Sequence, residues 1–379
     1  MSIFFDNAAT SHPKPPSVVR AVGEALTTFN ANPGRSGHPA AIEAARRVLR
    51  TREDLAGLIG AREALAIAFA FNCTDAINLA IKGSLHRGDH VIVTQLEHNA
   101  VLRVVTELER RGRITLTIVP PCADGFVDPE DIRAAIRSDT ALIVCAHASN
   151  VTGGIQPVAA IGQIARSEGI RYLIDGAQAL GAMPVDVNAL GCDLYAFPGH
   201  KSLLGPQGTG GLYIRPGLML NTLREGGTGS SSESMRQPLD LPERYESGTL
   251  NLPGIVGLGT GCEYVAPRLS QIMMHERELT RALYDGLSRI PEVTLYSPAE
   301  ESARAGIVSF NVGDLTSSQT SDALAKNDIA VRGGLHCAPG VHRFLGTLRR
   351  GAVRASVGYA NTFDEVDQFL QAVRGLARV

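Results

Sequence analysis

The sequence lacks any long block of like charge. Its 379 residues include 36 basic and 38 acidic side chains, which give a formal net charge of −2 at pH 7. Nucleic acids and anionic membranes are bound through clustered positive charge, so neither is expected as a partner. No apolar run approaches the roughly 20 residues that span a bilayer. The opening MSIFFDNAAT also lacks the basic and apolar segments of a signal peptide, and we therefore expect no membrane association.

Closely spaced cysteines are absent as well. The six cysteines, at positions 73, 122, 145, 192, 262 and 337, are widely scattered and form no C-x-x-C pair. This spacing argues against a zinc site and against a disulfide framework. It favours a reducing compartment, so we expect a cytoplasmic protein without a bound metal.

The chain is long enough for two domains. From about residue 65 to 215, short apolar runs such as HVIVT and RYLIDGA alternate with helical stretches such as NAVLRVVTELERRG. This alternation predicts a mainly parallel sheet covered by helices on both faces. A long helical stretch then runs through 255–290. Shorter strands follow it, between helices at about 316–327 and 362–376, and this pattern predicts a smaller α+β domain.

Polar or reactive side chains follow five of the predicted strands. They are Cys73 and Thr74, Glu97 and His98, Asn150, Asp175 and Gln178, and His200 and Lys201. In open parallel α/β sheets, ligands bind at the carboxyl ends of the strands. A single polar group at a strand end is unremarkable, but five clusters predict one shared crevice.

Lys201 and Asp175 together indicate the chemistry of this crevice. A buried lysine amine can lose its proton and attack carbonyls, and pyridoxal phosphate is held by a lysine Schiff base with a partner at its pyridine nitrogen. Alone, Lys201 is more simply a solvated lysine, and Asp175 is equally explained as a helix cap. A nucleotide-binding P-loop is excluded, because FPGHKS has no glycine five positions ahead of Gly199.

Three segments carry a resemblance to a known family. DGAQALGAMPVDVNALGCDLYAFPGHK resembles the class V aminotransferase family of fold-type I pyridoxal enzymes, and RGGLHCAPG and VRASVGYANT are similar to SUF-type (group II) cysteine desulfurases and selenocysteine lyases. The resemblance covers essentially the whole chain. It implies a fold-type I α/β architecture with a mainly parallel seven-stranded sheet in a large domain, residues 14–252. Residues 1–13 and 253–379 would form the small α+β domain.

The resemblance also implies pyridoxal 5'-phosphate as the cofactor. Lys201 would form the Schiff base and move the Cα proton, Asp175 would pair with the pyridine nitrogen, and His98 would stack on the ring and act as an acid or base. The other implied contacts are those of Gln178 and Asn150 with the ring hydroxyl, and of Cys73, Thr74 and His200 with the phosphate. Thr249, in the polar loop 226–250, would reach the phosphate of the other subunit of a homodimer.

Substrate residues follow from the same resemblance. Arg354 would bind the substrate carboxylate, with Asn150 and Ala8 beside the substrate, and Cys337 would accept the sulfur. Cys337 follows His336 and lies near Arg332, and these basic neighbours favour a thiolate. Cys145 and Cys192 lie in or beside apolar runs, where a small buried hydrophobe is expected.

The chain departs from the family pattern near the phosphate and near Cys337. Pro198 replaces a common serine, Cys73 replaces one of two threonines, and Leu335 stands where a second histidine is frequent. The implied function is a PLP-dependent cysteine desulfurase that converts L-cysteine to L-alanine, forms a persulfide on Cys337 and passes the sulfur to an acceptor protein. The alternatives are a selenocysteine lyase, an ordinary transaminase that does not need Cys337, and a non-enzymatic scaffold.

Overall fold

The computed structural model describes residues 3–34, 36–229 and 233–377. Its α-helices are α1 (Pro16–Thr27), α2 (Pro39–Leu58), α3 (Cys73–Ser84), α4 (Asn99–Arg110), α5 (Pro129–Ala134), α6 (Val158–Ser167), α7 (Leu252–Val265), α8 (Leu269–Ser288), α9 (Ser317–Ala325), α10 (Pro339–Phe344) and α11 (Phe363–Leu376). Its strands are β1 (Ile3–Phe4), β2 (Ile67–Ala70), β3 (His90–Thr94), β4 (Thr115–Val119), β5 (Thr140–Ala146), β6 (Arg171–Asp175), β7 (Leu194–Pro198), β8 (Gly210–Ile214), β9 (Val293–Leu295), β10 (Ile307–Val312), β11 (Ile329–Ala330), β12 (Arg332–Gly334) and β13 (Ala352–Ser356).

The large sheet has seven strands in the described chain, in the order β2-β8-β7-β6-β5-β3-β4. β8 runs antiparallel to both of its neighbours, β2 and β7. Every other neighbouring pair is parallel. The predicted mainly parallel seven-stranded sheet is confirmed.

Helices cover both faces of this sheet. Successive side chains of a strand point to opposite faces, so each strand contributes residues to both helix layers. In β3, Ile92 lies in the core layer that α2, α6 and α7 complete, whereas Val91 and Val93 lie in the layer that α3 and α4 complete. Both faces of the strand are therefore apolar. This explains the continuous apolar run VIV at the centre of HVIVT.

The smaller unit is built on an antiparallel sheet of order β12-β13-β10-β9. Its core joins Leu279, Leu283 and Leu287 of α8 to apolar residues of β10, β13 and α11. The start of the chain belongs to the same core, since β1 pairs in parallel with β11 and Phe5 is buried there.

The helical stretch predicted through 255–290 is divided in the structure. α7 ends at Val265, a 3₁₀ turn covers Ala266–Arg268, and α8 begins at Leu269. Pro267 lies in this turn. Proline has no backbone N–H and its ring disfavours a continuous α-helix, which accounts for the break. Buried residues of α7, such as Ile255, pack in the core of the large sheet. The predicted division of the chain at residue 252 stays a prediction.

Within the described ranges, no helix is long and apolar enough to cross a membrane.

Glu276 of α8 lies beside a cavity of about 500 Å³ between the two units. Residues of both units line it, among them Gln178, Ser202 and Tyr359. Among the described residues, none forms a hydrogen bond or ion pair with the Glu276 carboxyl. Burial raises its pKa from the usual 4.5 to about 8. The carboxyl is therefore protonated at neutral pH.

We expect Glu276→Gln to be more stable than the parent protein at pH 8.5, with a smaller difference at pH 5. The folded state holds the Glu276 proton up to about pH 8, whereas the unfolded state loses it near the usual pKa, so this group lowers stability progressively as pH rises from 4.5 to 8. A glutamine side chain does not titrate in this range, so the variant lacks this loss of stability at high pH. The difference in melting temperature between Glu276→Gln and the parent protein should be about 2–5 °C larger at pH 8.5 than at pH 5. Glu278→Gln, on the exposed side of α8, is the control, and a pH-independent difference would contradict the interpretation.

Candidate active site

The carboxyl ends of the parallel strands converge on a cavity of about 660 Å³. Two helices begin at its wall, each capped by a side chain: Asn72 accepts from the Asp75 amide (2.9 Å) at α3, and His98 accepts from the Ala100 amide (3.0 Å) at α4. Asp175 is the last residue of β6. The predicted residues that line the cavity are Cys73, Thr74, His98, Asn150, Asp175, Gln178, His200 and Lys201. The shared crevice predicted from the strand ends is present.

Four of the predicted residues are not among those that line this cavity: Thr249, Ala8, Arg354 and Cys337. Thr249 is exposed and borders a separate cavity with Phe69 and Thr209. Ala8 lies behind the site, where its carbonyl accepts from Gln178 Nε2 at 3.1 Å. Arg354 comes from the small unit and reaches the wall, since its Nη1 donates to the Asn150 carbonyl at 2.9 Å.

One of the two carboxylate oxygens of Asp175 already accepts hydrogen bonds from the protein. The side chain is buried, with 5 % exposure for the residue. Its Oδ1 accepts from the Ala177 amide (3.0 Å) and from the Cys73 thiol (3.5 Å). No hydrogen bond from the described residues reaches Oδ2. Burial raises the pKa of Cys73 well above its usual value, and the charge of Asp175 adds to this, so Cys73 remains a thiol.

Lys201 follows β7 through a turn that requires glycine. A Cβ at Gly199 would lie 2.2 Å from Thr209 Oγ1, so only glycine allows the chain to pass there. Desolvation lowers the pKa of Lys201, and the nearby charge of Asp175 opposes this shift only in part. A larger fraction of this amine is therefore neutral at physiological pH than in a solvated lysine, and a nucleophile or base must be neutral.

Two histidines of the cavity are held neutral. Burial, followed by the positive charges of Lys201 and Lys14, lowers the pKa of His200 to about 4. His200 Nδ1 is buried and has no hydrogen-bond partner among the described residues. Burial also lowers the pKa of His98. The Nδ1 atom of His98 accepts from the Ala100 amide (3.0 Å), so the proton of its neutral ring lies on Nε2.

The segment that carries Cys337 lies at the rim of the cavity. Cys337 is exposed. Its carbonyl accepts from the Asn99 amide (2.7 Å), and the His336 carbonyl accepts from Asn150 Nδ2 (2.7 Å). Both His336 (φ 49°) and Cys337 (φ 57°) have left-handed backbone conformations. Such conformations are unfavourable for side chains other than glycine and persist where the surroundings enforce them, often at functional sites.

One sequence argument about Cys337 is wrong. His336 was expected to act as a basic neighbour that favours the thiolate. It is buried, its Nε2 contacts the Ala352 carbonyl (3.0 Å), and burial lowers its pKa to about 3. A neutral imidazole supplies no positive charge to Cys337. Cys145 and Cys192 are buried, as expected.

Three residues near the cavity have no catalytic or binding role predicted from the sequence, although Glu97 stands at one of the five predicted strand ends; none of the three lines the cavity. Lys14 Nζ donates to the His200 carbonyl and to Ser11 Oγ, both at 2.7 Å, and burial lowers its pKa to about 8. Glu97 is buried, accepts from Thr94 Oγ1 (2.6 Å) and from the Ala146 amide (3.0 Å), and burial raises its pKa to about 8. The third residue is Asp6, which pairs with Arg354. Its position in FFDNAAT was a usable signal, but no local pattern shows a partner 348 residues away.

The fold and the cavity thus define an α/β protein with a desolvated lysine, a carboxylate and neutral histidines at the ends of parallel strands. The family model for class V aminotransferases matches residues 3–369. A probable cysteine desulfurase of Methanothermobacter thermautotrophicus is 35 % identical over 99 % of this chain and 94 % of its own length. The cysteine desulfurase of Enterobacter sp. (strain 638) is 34 % identical over 99 % of this chain and 93 % of its own.

Solved structures agree with these relatives. The apo cysteine desulfurase of Thermococcus onnurineus NA1 superposes with a TM-score of 0.93 at 34 % identity, covering 100 % of this chain and 95 % of the other. The cysteine desulfurase CsdA of Escherichia coli gives 0.90 at 28 % identity, with the same coverage. The chain belongs to the class V aminotransferase family, which is PLP-dependent. The resemblance and the fold type expected from the sequence motifs are confirmed.

Proposed function

We propose that this chain is a cysteine desulfurase that converts L-cysteine to L-alanine and receives the sulfur on Cys337. The observation that carries the proposal is the position of Cys337. It is exposed at the rim of the lysine-containing cavity, and hydrogen bonds to Asn99 and Asn150 fasten its segment to two walls of that cavity. A transaminase has no use for a thiol held in this way. The full-length relatives that bear the name cysteine desulfurase support the same reading.

The cavity fits pyridoxal 5'-phosphate. His200 Nδ1 is a buried polar atom without a described partner. Together with the first turn of α3 at Cys73 and Thr74, it suits a phosphate. Asp175 has Oδ2 available for a pyridinium nitrogen, and Lys201 has the lowered pKa that a Schiff base requires. We propose that His98 stacks on the ring and that Asn150 and Gln178 lie beside its hydroxyl. When bound, the cofactor withdraws electrons from the substrate Cα.

The remaining steps, which are substrate binding, proton transfer and sulfur transfer, are carried out by protein side chains. We propose that Arg354 binds the substrate carboxylate, with Asn150 and Ala8 beside the substrate, and that Lys201 moves the Cα proton. The Cys337 thiolate forms a bond to the substrate Sγ. The Cβ–Sγ bond breaks with its electron pair left on the substrate, which takes up a proton to become the methyl group of alanine. The sulfur remains on Cys337 as a persulfide, and its exposure allows the thiol of an acceptor protein to reach it.

The test is an assay of the purified holoenzyme with L-cysteine, L-selenocysteine and L-cysteine sulfinate. Alanine and released sulfur or selenium are measured together. We expect equal amounts of alanine and sulfide from L-cysteine in the presence of a reducing thiol. Activity confined to selenocysteine would favour a lyase, and amino-group transfer to a keto acid without sulfur release would favour a transaminase.

We also propose that the protein is a homodimer in a reducing cytoplasm. All six cysteines are free, which suits that compartment. Thr249 is exposed and borders a cavity together with Phe71, an apolar side chain that remains accessible. In a dimer, Thr249 would donate its hydroxyl to the phosphate of the other subunit.

Thr249→Ala is expected to weaken cofactor binding by roughly 10- to 150-fold. One hydrogen bond to a charged group is lost, which is worth roughly 1.5–3 kcal/mol. The measurement is the dissociation constant of the cofactor, with light scattering to establish the dimer. Thr294→Ala, on the surface strand β9, is the control. A fully active monomer, or unchanged cofactor binding, would contradict the proposal.

A further inference from the structure

Arg354 lies near the centre of β13 and is 2 % exposed. Its strand pairs with β10 on one side and with β12 on the other. A guanidinium removed from water is costly unless hydrogen-bonded partners compensate for the lost solvent. Burial lowers the pKa of Arg354, and the carboxylate of Asp6 is the first of the groups that oppose this shift.

Only two of the five N–H groups of Arg354 have partners among the described residues. Nη1 donates to the Asn150 carbonyl and Nη2 donates to Asp6 Oδ1, both at 2.9 Å. Nε is buried without a described partner. Each terminal nitrogen carries two hydrogens and uses one of them. One N–H therefore stays available on each, which matches a carboxylate that arrives with two oxygens.

Asp6 is held firmly in its place. It bridges to Ser356, two residues beyond Arg354 on the same strand. Its carbonyl accepts from the Ala9 amide (3.0 Å), and the Ala8 amide donates to Ser356 Oγ (2.9 Å). The Asp6 side chain keeps 24 % exposure, so its charge is only partly desolvated. These contacts fix the backbone that carries the Asp6 carboxylate, independently of any ligand.

Building on the proposed function, we propose that Asp6 is a positioning residue for substrate recognition. Asp6 and the Asn150 carbonyl each hold one terminal nitrogen of Arg354 and so fix the plane of the guanidinium. The remaining hydrogens then face the α-carboxylate of an amino acid. The opposite interpretation treats Asp6 as an internal competitor that occupies Arg354 until substrate displaces it. The free N–H on each terminal nitrogen favours positioning, because the substrate does not need the hydrogen that Asp6 uses.

The two interpretations predict opposite effects of Asp6→Ala in the holoenzyme. With positioning, the KM for L-cysteine rises about tenfold while kcat changes less than about threefold, since the loss affects binding of the carboxylate. Asp6→Asn keeps an oxygen that accepts from Nη2, so its KM rises less. The dissociation constant of L-alanine, measured by calorimetry, should rise by the same factor as the KM in each variant. Asp314→Ala, an exposed acid of the small unit, is the control.

A lower KM and tighter alanine binding in Asp6→Ala would establish competition and overturn the proposal. Unchanged values would also overturn it, as would a loss of kcat with KM unchanged. If Asp6→Ala fails to fold, Asp6→Asn still tests the charge, and thermal melting identifies that case. Alanine carries the same carboxylate but no sulfur. A wild-type enzyme that binds alanine and releases no sulfide from cysteine would therefore contradict the desulfurase proposal without affecting the test of Asp6.

Discussion

Cys337→Ala is expected to release sulfur from L-cysteine at least about a thousandfold more slowly than the wild-type protein. The variant keeps the cavity, Lys201 and Arg354, but no thiolate remains to accept the substrate Sγ. Loss of a covalent nucleophile commonly costs several orders of magnitude in rate. Sulfide and alanine formed from L-cysteine are the quantities to measure, under single-turnover conditions.

Cys122→Ala provides a matched control for this variant. Cys122 is the other exposed cysteine among the described residues, and it lies outside the cavity. Its replacement should leave the rate unchanged. Retention of selenocysteine activity in Cys337→Ala, with loss of cysteine activity, would preserve the mechanism and favour the lyase, because selenium leaves with less help. Near wild-type activity of Cys337→Ala toward cysteine would contradict transfer to this thiol.

Lys201→Ala is expected to abolish turnover, with a loss of roughly a thousandfold or more. The variant has no amine to bond the cofactor and none to move the Cα proton. Borohydride reduction of the wild-type holoenzyme should attach the cofactor mass to the peptide that contains Lys201. The same treatment of Lys201→Ala should leave that peptide unlabelled.

Lys82→Ala, at an exposed position of α3, tests whether loss of any lysine has this effect. It should retain both labelling and rate. Labelling of a lysine other than Lys201 in the wild-type protein would refute the assignment. The lowered pKa of Lys201 also predicts that activity rises with pH earlier than an ordinary lysine would allow.

The large sheet could be predicted because its cause is local. The centre of HVIVT, Val91 to Val93, is apolar at every position, and such a run is typical of a strand buried on both faces. The same reasoning located the candidate site, since strands that run parallel end at the same edge. The sequence signal for the break between α7 and α8 is a single residue, Pro267, within a predicted helical stretch of about 36 residues. The helical pattern outweighed that single proline.

The remaining features depend on contacts between distant parts of the chain. Asp6 and Arg354 are 348 residues apart, and their pairing follows from the packing of the first strand against the small unit. The charge state of His336 depends on its burial, which its neighbours Leu335 and Cys337, both exposed, do not indicate. Left-handed backbone at His336 and Cys337 likewise has no sequence signal, because neither is a glycine.

The central claim is that Cys337 receives the sulfur of L-cysteine, and mass spectrometry of the peptide that contains it tests this most directly. The holoenzyme is treated with L-cysteine without a reducing thiol, then quenched and digested. We predict a gain of about 32 Da on the Cys337 peptide, removed by a reducing thiol and accompanied by one equivalent of alanine. Alanine formation with an unmodified Cys337 peptide, or the same gain on the Cys122 peptide alone, would contradict the account.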